Sequence, residues 1–396
     1  MKELFNMTSV ANRGANNSGI LHFYLPHSTK SDNSTRKVIE KILQEKFNFQ
    51  VVENIKDING DATMLIWSST FMSGKFLAAL PYKILLNHFP RSVEVGHKVN
   101  LYRNLNLIQE SEFLPLSFLS LHDWHTWYVQ QVDKSDKSND NHVPKYWITK
   151  PIKGGGGRRV EVWSSETLLT KCADVKNNVA KGTDAISTRN VVQKYISNPL
   201  LHGHNNAKFD IRAYVLVMEN GEIYLYDEGL LRMASKTYDL DEKNMKDPYI
   251  HLTNNSVNKR NNTRHGACEN LLWSEYFTGD LKDKWNSDIM PQLKNITKIT
   301  FKHCLLENKK IQNEIDKYKT KVSSFELFGI DCIIDETYKV WLLEINHMPE
   351  IETSNSARAD KLMNYQLVLD MFNLIFHRNE VLNDGIEVLN KFVNIA

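Results

Sequence analysis

A greasy hairpin interrupted by three polar residues constrains this chain more than any other feature. Residues 325–346 read FELFGIDCIIDETYKVWLLEIN. The run 327–334 is apolar and rich in β-formers, and 340–345 is apolar again. Between them Asp335, Glu336, Thr337 and Tyr338 suit a tight connection. Asp331, Glu344 and Asn346 break the apolar pattern.

Antiparallel pairing lets their positions be tested, because opposed residues keep a constant sum of numbers along a regular ladder. Setting Asp331 against Glu344 centres the turn between Thr337 and Tyr338, inside the polar run. Asn346 then falls two residues on, on the same face. Two carboxylates directly opposed on a sheet repel. Burying them unpaired costs several kcal/mol or forces one to take a proton. A divalent cation would remove the conflict. Three oxygen donors with no Cys or His suit Mg²⁺, which keeps waters and takes substrate phosphates as its other ligands. Singly, each residue is better explained as solvent-facing on a half-exposed hairpin. Together on one face of two apolar strands, they favour a metal site.

Composition excludes several classes. The 396 residues suffice for two or three domains, and 41% hydrophobic with 24% charged residues is ordinary for a globular protein. A net charge of +2 sets up no field for nucleic acid or membrane, and no basic aromatic-rich motif supports a nucleic-acid surface. Four scattered cysteines without a Cys-x-x-Cys pair argue against a disulfide framework or zinc cluster and fit a reducing, cytoplasmic compartment. The N-terminus has no apolar signal core, and no run reaches membrane-spanning length. Residues 1–20 are polar and expected to be disordered.

Along the chain, 34–47 has helical spacing, and 22–25, 49–52 and 63–67 read as strands. This predicts an N-terminal α/β domain over 1–95, a central lobe over 96–198 and a C-terminal lobe over 199–396. A low-complexity loop at 133–141 precedes a strand at 145–149. Then KPIKGGGGRR, 150–159, joins that strand to another at 160–163. A glycine-rich loop alone reads more simply as a flexible turn. Placed between strands, with Lys150 at the end of the first, it points to a flap whose N–H groups cradle phosphate. It is no Walker A loop, because no Lys-Ser/Thr or helix follows the glycines.

The strand at 191–196 runs into Asn198-Pro199, a hinge-like linker. In 208–217, Lys208, Asp210, Arg212 and Tyr214 alternate with Phe209, Ile211, Ala213 and Val215. The polar face is either solvated or a site. Asn220-Gly221 predicts a hairpin turn into 222–226. Arg232 could hold a carboxylate by a two-point fork or lie on the surface. Helices are expected at 289–306 and 358–381.

A lysine with a glycine flap, a hinge strand, a basic strand, an arginine and a carboxylate–carboxylate–amide face compose a nucleotide site between two α/β lobes. That order fits an α/β (α+β) ATP-grasp fold, not a kinase, since His-Arg-Asp and Asp-Phe-Gly are missing. The chain resembles the tubulin tyrosine ligase and tubulin ligase-like family, which includes tyrosine ligases, polyglutamylases and glycylases. The matching motifs are QKYISNPLL (193–201), KFDIRAYVLV (208–217), YLYDEGLLR (224–232), HLTNNSVNK (251–259) and 325–346. They cover about half the chain, in family order; residues 1–80 match only in outline.

The resemblance implies roles for individual residues. Lys150 would bind ATP phosphates beneath a flap containing Gly156 and Gly157. Gln193, Lys194, Tyr195 and Ile196 would line the adenine pocket. Lys208, Asp210, Thr253 and Asn254 would contact nucleotide, and Arg212 would sit near the transferred phosphate. Arg232, with Ser256, would hold the carboxylate of a free amino acid. Asp331, Glu344 and Asn346 would hold Mg²⁺. The implied chemistry is ATP-dependent ligation through an acyl phosphate on a protein carboxylate. The implied acceptor is tubulin or another protein with an acidic tail, in a cytoplasmic, microtubule-associated setting. Thr-Asn-Asn-Ser at 253–256 and Asn346-His347-Met348-Pro349 resemble the glutamylases, so glutamate is slightly favoured. Compactness and KFDIR resemble the tyrosine ligase, which is the alternative. A small-molecule ligase and a tubulin-binding pseudoenzyme are the rivals, the latter weakened because the metal and phosphate ligands are all present.

Overall fold

A computed structural model describes residues 22–24, 33–52, 63–68, 71–81, 83–138, 143–180, 190–203, 205–261, 270–317, 321–351, 358–383 and 390–396. The disorder expected at 1–20 lies outside these residues, as does the end of the polar stretch at 139–141. Residues 133–138, expected to be loop, continue the helix Leu121–Ser138 instead. Its Leu121 and Trp124 are buried one turn apart against the neighbouring sheet, and the polar run prolongs the helix they anchor.

Two sheets carry the fold. A parallel set of β1 (His22–Tyr24), β2 (Gln50–Val52), β3 (Thr63–Ile66) and β4 (Lys83–Leu86) begins the larger one. The smaller sheet follows: β5 (Ser117–Phe118), β6 (Tyr146–Pro151), β7 (Glu161–Ser164) and β8 (Asn190–Lys194), antiparallel in the order β5-β8-β6-β7. The chain then returns to the larger sheet with β9 (Leu201–His202), β10 (Ala207–Met218), β11 (Ile223–Tyr226), β12 (Leu230–Thr237) and β13 (Leu271–Leu272). It ends there with β14 (Val322–Ile334), β15 (Val340–His347) and β16 (Phe392–Asn394). Among the described residues, no helix is long and apolar enough to cross a membrane.

β14 is the spine. All thirteen of its residues are buried. It starts five residues earlier than its apolar run predicts, because Val322, Ser323 and Ser324 pair in parallel with β4. One sheet therefore runs from the parallel set β1–β4 through β14 into β10 and its neighbours. On its other edge β14 pairs with β10 from Cys332 to Phe325.

β10 is buried on both faces. Phe209, Ile211, Ala213 and Val215 pack with the helix Met290–Phe301, whereas Tyr214 and Leu216 pack with the helix Arg358–Asn383. The polar face is thus not solvated: Lys208 and Asp210 are buried beneath the small sheet. The turn at Asn220-Gly221 forms as predicted, with Gly221 at φ +97°. In the C-terminal helix Leu367, Val368, Met371 and Phe372 are buried, and Leu362 is 54% exposed.

The turn between β14 and β15 is tied down by Asp335. Its carboxylate accepts from Thr337 N (2.9 Å), Thr337 Oγ1 (2.6 Å), Lys339 N (3.0 Å) and Trp341 Nε1 (2.8 Å). Partial burial pushes the carboxyl up, but the Thr337, Trp341 and Lys339 bonds outweigh it and hold Asp335 below its ordinary value. The stabilisation is present at neutral pH and fades as pH falls through the folded-state value. Asp335→Ala should cost about 1–3 kcal/mol at pH 7 by urea unfolding, and the gap should close towards pH 3. An unchanged midpoint at pH 7 would show that the turn holds without these bonds.

Candidate active site

Between the two sheets lies a cavity of about 860 Å³, its open mouth included. β6 and β8 supply Ile148, Lys150, Gln193 and Lys194, followed by Tyr195 and Ile196. The glycine loop and the facing strands β10, β12, β14 and β15 supply the rest. The lining carries the cations Lys98, Lys150, Arg158, Lys194, Lys208 and Arg232 against the carboxylates Asp210, Asp331 and Glu344. That imbalance suits a polyanion. Ile148, Val160, Tyr195, Leu252, Ile333 and Leu343 add apolar surface to the same cavity, and a cavity of this size and mixed lining suits a nucleotide.

Lys150 and Lys208 are buried, and each donates only to neutral oxygens. Lys150 Nζ lies 2.7 Å from Gln193 Oε1 and 3.4 Å from the Leu343 carbonyl. Gln193 is oriented in turn by its Nε2, which donates to Ser117 Oγ at 2.9 Å. Lys208 Nζ donates to Tyr195 Oη and the His251 carbonyl, each at 3.0 Å. Burial pulls both lysines below their ordinary value, Lys208 to about 7, although nearby carboxylates oppose it. Two buried amines without a hydrogen-bonded anion are a receptor for phosphate oxygens.

The glycine loop is already docked. Gly156 and Gly157 sit at φ +64° and +70°, where other residues are strained. A Cβ on Gly157 would lie 2.9 Å from Asn254 Oδ1. Ser256 was expected beside the incoming amino acid. It is exposed and donates to the Gly156 carbonyl at 3.0 Å, so it fastens the flap instead of lining the cavity.

Asp210, Arg232 and Asp331, all buried, form one network with the half-buried Arg212. Arg212 binds both oxygens of Asp331 through Nε and Nη2. Gly329 leaves the room: a Cβ there would stand 3.1 Å from Arg212 Cδ. Arg232 binds both oxygens of Asp210 and reaches Asp331 Oδ2 at 2.9 Å. Thr253 Oγ1 donates to Asp210 Oδ2 at 2.7 Å. The two-point fork of Arg232 is therefore taken by a carboxylate of its own chain. Its Nη1, in none of these bonds, is what remains to meet a ligand. Burial pushes Asp331 up, but Arg212 and Arg232 hold it well below the carboxylate range.

Asp331 does face Glu344, and Asn346 Nδ2 donates to Asp331 Oδ2 at 3.2 Å. Charge compensation, however, comes from protein cations: the two arginines for Asp331 and Lys98 (3.3 Å) for Glu344. Repulsion alone therefore does not demand a metal. Among the described residues no group of three His, Cys, Asp or Glu is arranged to hold one. The donor set still fits Mg²⁺, since Asp331, Glu344 and the amide oxygen of Asn346 offer hard oxygens on one face.

The register is not the single regular one predicted. Asp331 pairs with Glu344, yet Cys332 pairs with Leu342, so Leu343 is an extra residue in β15. This bulge centres the turn on Thr337 and turns the Leu343 carbonyl towards Tyr102 Oη, at 2.8 Å, and Lys150. Sequence reading missed Lys98, Tyr102 and His251 as site residues. Lys98 and Tyr102 lie on one upstream helix, Lys98–Leu105, and nothing local marks them.

Two sheets closing on a cationic, glycine-looped cavity define an ATP-grasp type of α/β fold. The Tubulin-tyrosine ligase family matches residues 78–384, and the chain belongs to that family. It is 28% identical over 332 residues to Tubulin polyglutamylase TTLL5 of Mus musculus, covering 78% of this chain and 22% of that protein. It is 30% identical over 380 residues to Probable tubulin polyglutamylase TTLL2 of Homo sapiens, covering 91% and 57%. Tubulin monoglutamylase TTLL4 of Mus musculus is 30% identical over 311 residues, covering 73% and 23%. The chain thus spans between about a fifth and three fifths of the length of these relatives.

Asp331 and Glu344 should differ sharply in their effect on stability. Asp331→Ala leaves Arg212 and Arg232 short of an anion and should cost about 3–5 kcal/mol. Glu344→Gln loses a half-exposed ion pair and should cost under about 1 kcal/mol. Urea midpoints at constant slope check both; equal losses would show that Asp331 is not the buried keystone.

Proposed function

We propose that the protein is an ATP-dependent ligase that joins a free amino acid to a carboxylate of an acidic protein tail. Tubulin is the proposed acceptor and glutamate the proposed donor. The observation that carries this reading is the pair of buried lysines, Lys150 and Lys208, bonded only to neutral oxygens in a cavity roofed by a glycine loop. Family membership and the names of the relatives support the acceptor, and the glutamylase-like run from Asn346 to Pro349 supports glutamate.

In this reading Lys150, Lys208 and the backbone around Gly156 and Gly157 bind the phosphates of ATP. Gln193, Lys194, Tyr195 and Ile196 line the base, with Ile148 and Leu252. Thr253 and Asn254 fix Asp210 and the flap against the nucleotide. Asp331, Glu344 and Asn346 hold Mg²⁺, which when bound supplies charge neutralisation at the phosphates. Arg212 is absent from the cavity's lining and is bonded to Asp331; the resemblance alone assigns it to the transferred phosphoryl group.

The acceptor carboxylate takes that phosphoryl group, releasing ADP and leaving an acyl phosphate. The donor's amine then attacks the acyl carbon, phosphate departs, and the amine's surplus proton passes to solvent. Arg232 Nη1 meets the donor carboxylate while the rest of the guanidinium stays on Asp210 and Asp331. Positioning and charge neutralisation do the catalysis, and no covalent side-chain intermediate is required.

Purified protein incubated with ATP, Mg²⁺, tubulin and, separately, labelled glutamate, tyrosine or glycine tests the proposal. Mass spectrometry of the tubulin tails should find added glutamate. Tyrosine alone would change the donor; no label with ATP still bound would exclude tubulin as the acceptor under these conditions. Glu344→Gln should stay folded yet lose ligation by about a hundredfold or more. Near-normal turnover of that variant would remove Glu344 from the metal site.

A further inference from the structure

Three residues of the cavity form a hydrogen-bonded chain whose direction can be worked out. His251 Nε2 lies 3.2 Å from the carbonyl oxygen of Asn244. A carbonyl only accepts, so Nε2 carries the ring proton. Burial, reinforced by Lys208, pushes this imidazole down to about 4, so at neutral pH Nδ1 is a bare acceptor. The Tyr195 hydroxyl lies 3.0 Å from Nδ1 and must donate to it. Its oxygen is thereby left to accept from Lys208, whose amine is also held by the His251 carbonyl. All three side chains are buried.

The groups around Lys208 supply it with no hydrogen-bonded anion. Asp210, on the same strand, is occupied by Arg232 and Thr253. Lys150 on β6 is a like charge. Tyr238 gives its own proton to the Ser197 carbonyl at 2.7 Å, so towards Tyr195, with which it is hydrogen-bonded, it can only accept, beside His251 Nδ1. Asp239 and Asp247 act on His251 from its far side, Asp247 being bonded to Lys236 at 2.7 Å.

We propose that Tyr195 and His251 are positioning residues. Their fixed relay presents an acceptor to Lys208 that supports its charged form against burial, and so sets how readily the amine takes up a proton when a nucleotide polyphosphate arrives; binding is thereby proton-linked. The inference rests on the nucleotide reading of the cavity. Burial brings the free amine to about 7, and bound phosphate oxygens raise it again. Above that pH the bound state holds more protons than the free one. Affinity is therefore greatest below pH 7 and falls as pH rises, by at most about tenfold per unit for one proton. Tyr195→Phe keeps the ring but removes the acceptor, so the amine titrates lower and the fall begins at lower pH.

The test is calorimetric binding of MgATP to the full chain between pH 6 and pH 9, with excess Mg²⁺ and no amino acid or acceptor. The unmutated protein should lose about tenfold or more in affinity between pH 7 and pH 8.5, with heats that track the buffer's ionisation enthalpy. Tyr195→Phe and His251→Phe should move the onset of the fall down by about half a pH unit or more. His251→Gln, which can accept from Tyr195 and donate to Asn244, should restore the original profile. Lys208→Arg should bind without pH dependence across this range. A flat profile for the unmutated protein, or variants weakened by one factor at every pH, overturns the relay and leaves the nucleotide site standing. No MgATP binding by the unmutated protein at any pH overturns the nucleotide reading, and the relay with it.

Discussion

The Asp331 carboxylate is the charge on which the site depends. It sits on the most deeply buried strand, β14, and is gripped by Arg212 from β10 and Arg232 from β12. Arg232 in turn carries Asp210. Taking these four charges out of water is costly, and their mutual attraction repays little more than that cost. What the network secures is uniqueness: a slip of β10 against β14 would strand two arginines in an apolar core. The ladder register and the charge register therefore enforce one another.

The two aspartates are spent on the two arginines and Glu344 on Lys98, so Lys150 and Lys208 are left with neutral oxygens alone as hydrogen-bond partners among the described residues. Lys150 and Lys208 face each other from different sheets and share the same deficit. That deficit suits the cavity to a polyanion. The connections between the sheets keep it ready. After β8 the chain is stitched to the hairpin turn, through Leu200 N to the Ile334 carbonyl (2.8 Å) and Asn198 Nδ2 to Glu336 Oε1 (2.7 Å). Ser256 fastens the flap on the opposite side. At Gly156 and Gly157 the side chains of Ser256, Asn254 and Val257 stand where a Cβ would press, whereas Gly154 and Gly155 meet open space.

Much of this was legible in the sequence for a simple reason: a strand writes its two faces as a period of two. Period two placed Lys208, Asp210 and Arg212 on one face and set Asp331 against Glu344. It could not say what stands opposite that face, so a solvated strand and a buried site looked alike. The bulge at Leu343 was invisible, because an inserted residue inside an apolar run leaves the hydrophobic pattern intact on either side.

The sequence by itself determined the strands, the hairpin, the glycine flap and the roll of polar residues that an apolar strand would not otherwise carry. These are local properties, set by spacing and residue type, and the family motifs follow from them. Tertiary structure decided who pairs with whom. It paired Asp331 with two arginines, took the fork of Arg232 for Asp210, moved Ser256 to the flap, and brought Lys98 and Tyr102 from far upstream to β15. Those outcomes depend on distances between residues well separated in the chain, by 22 positions for Asp210 and Arg232 and by 241 for Tyr102 and Leu343, and charge compensation across such gaps leaves no periodic trace in the chain.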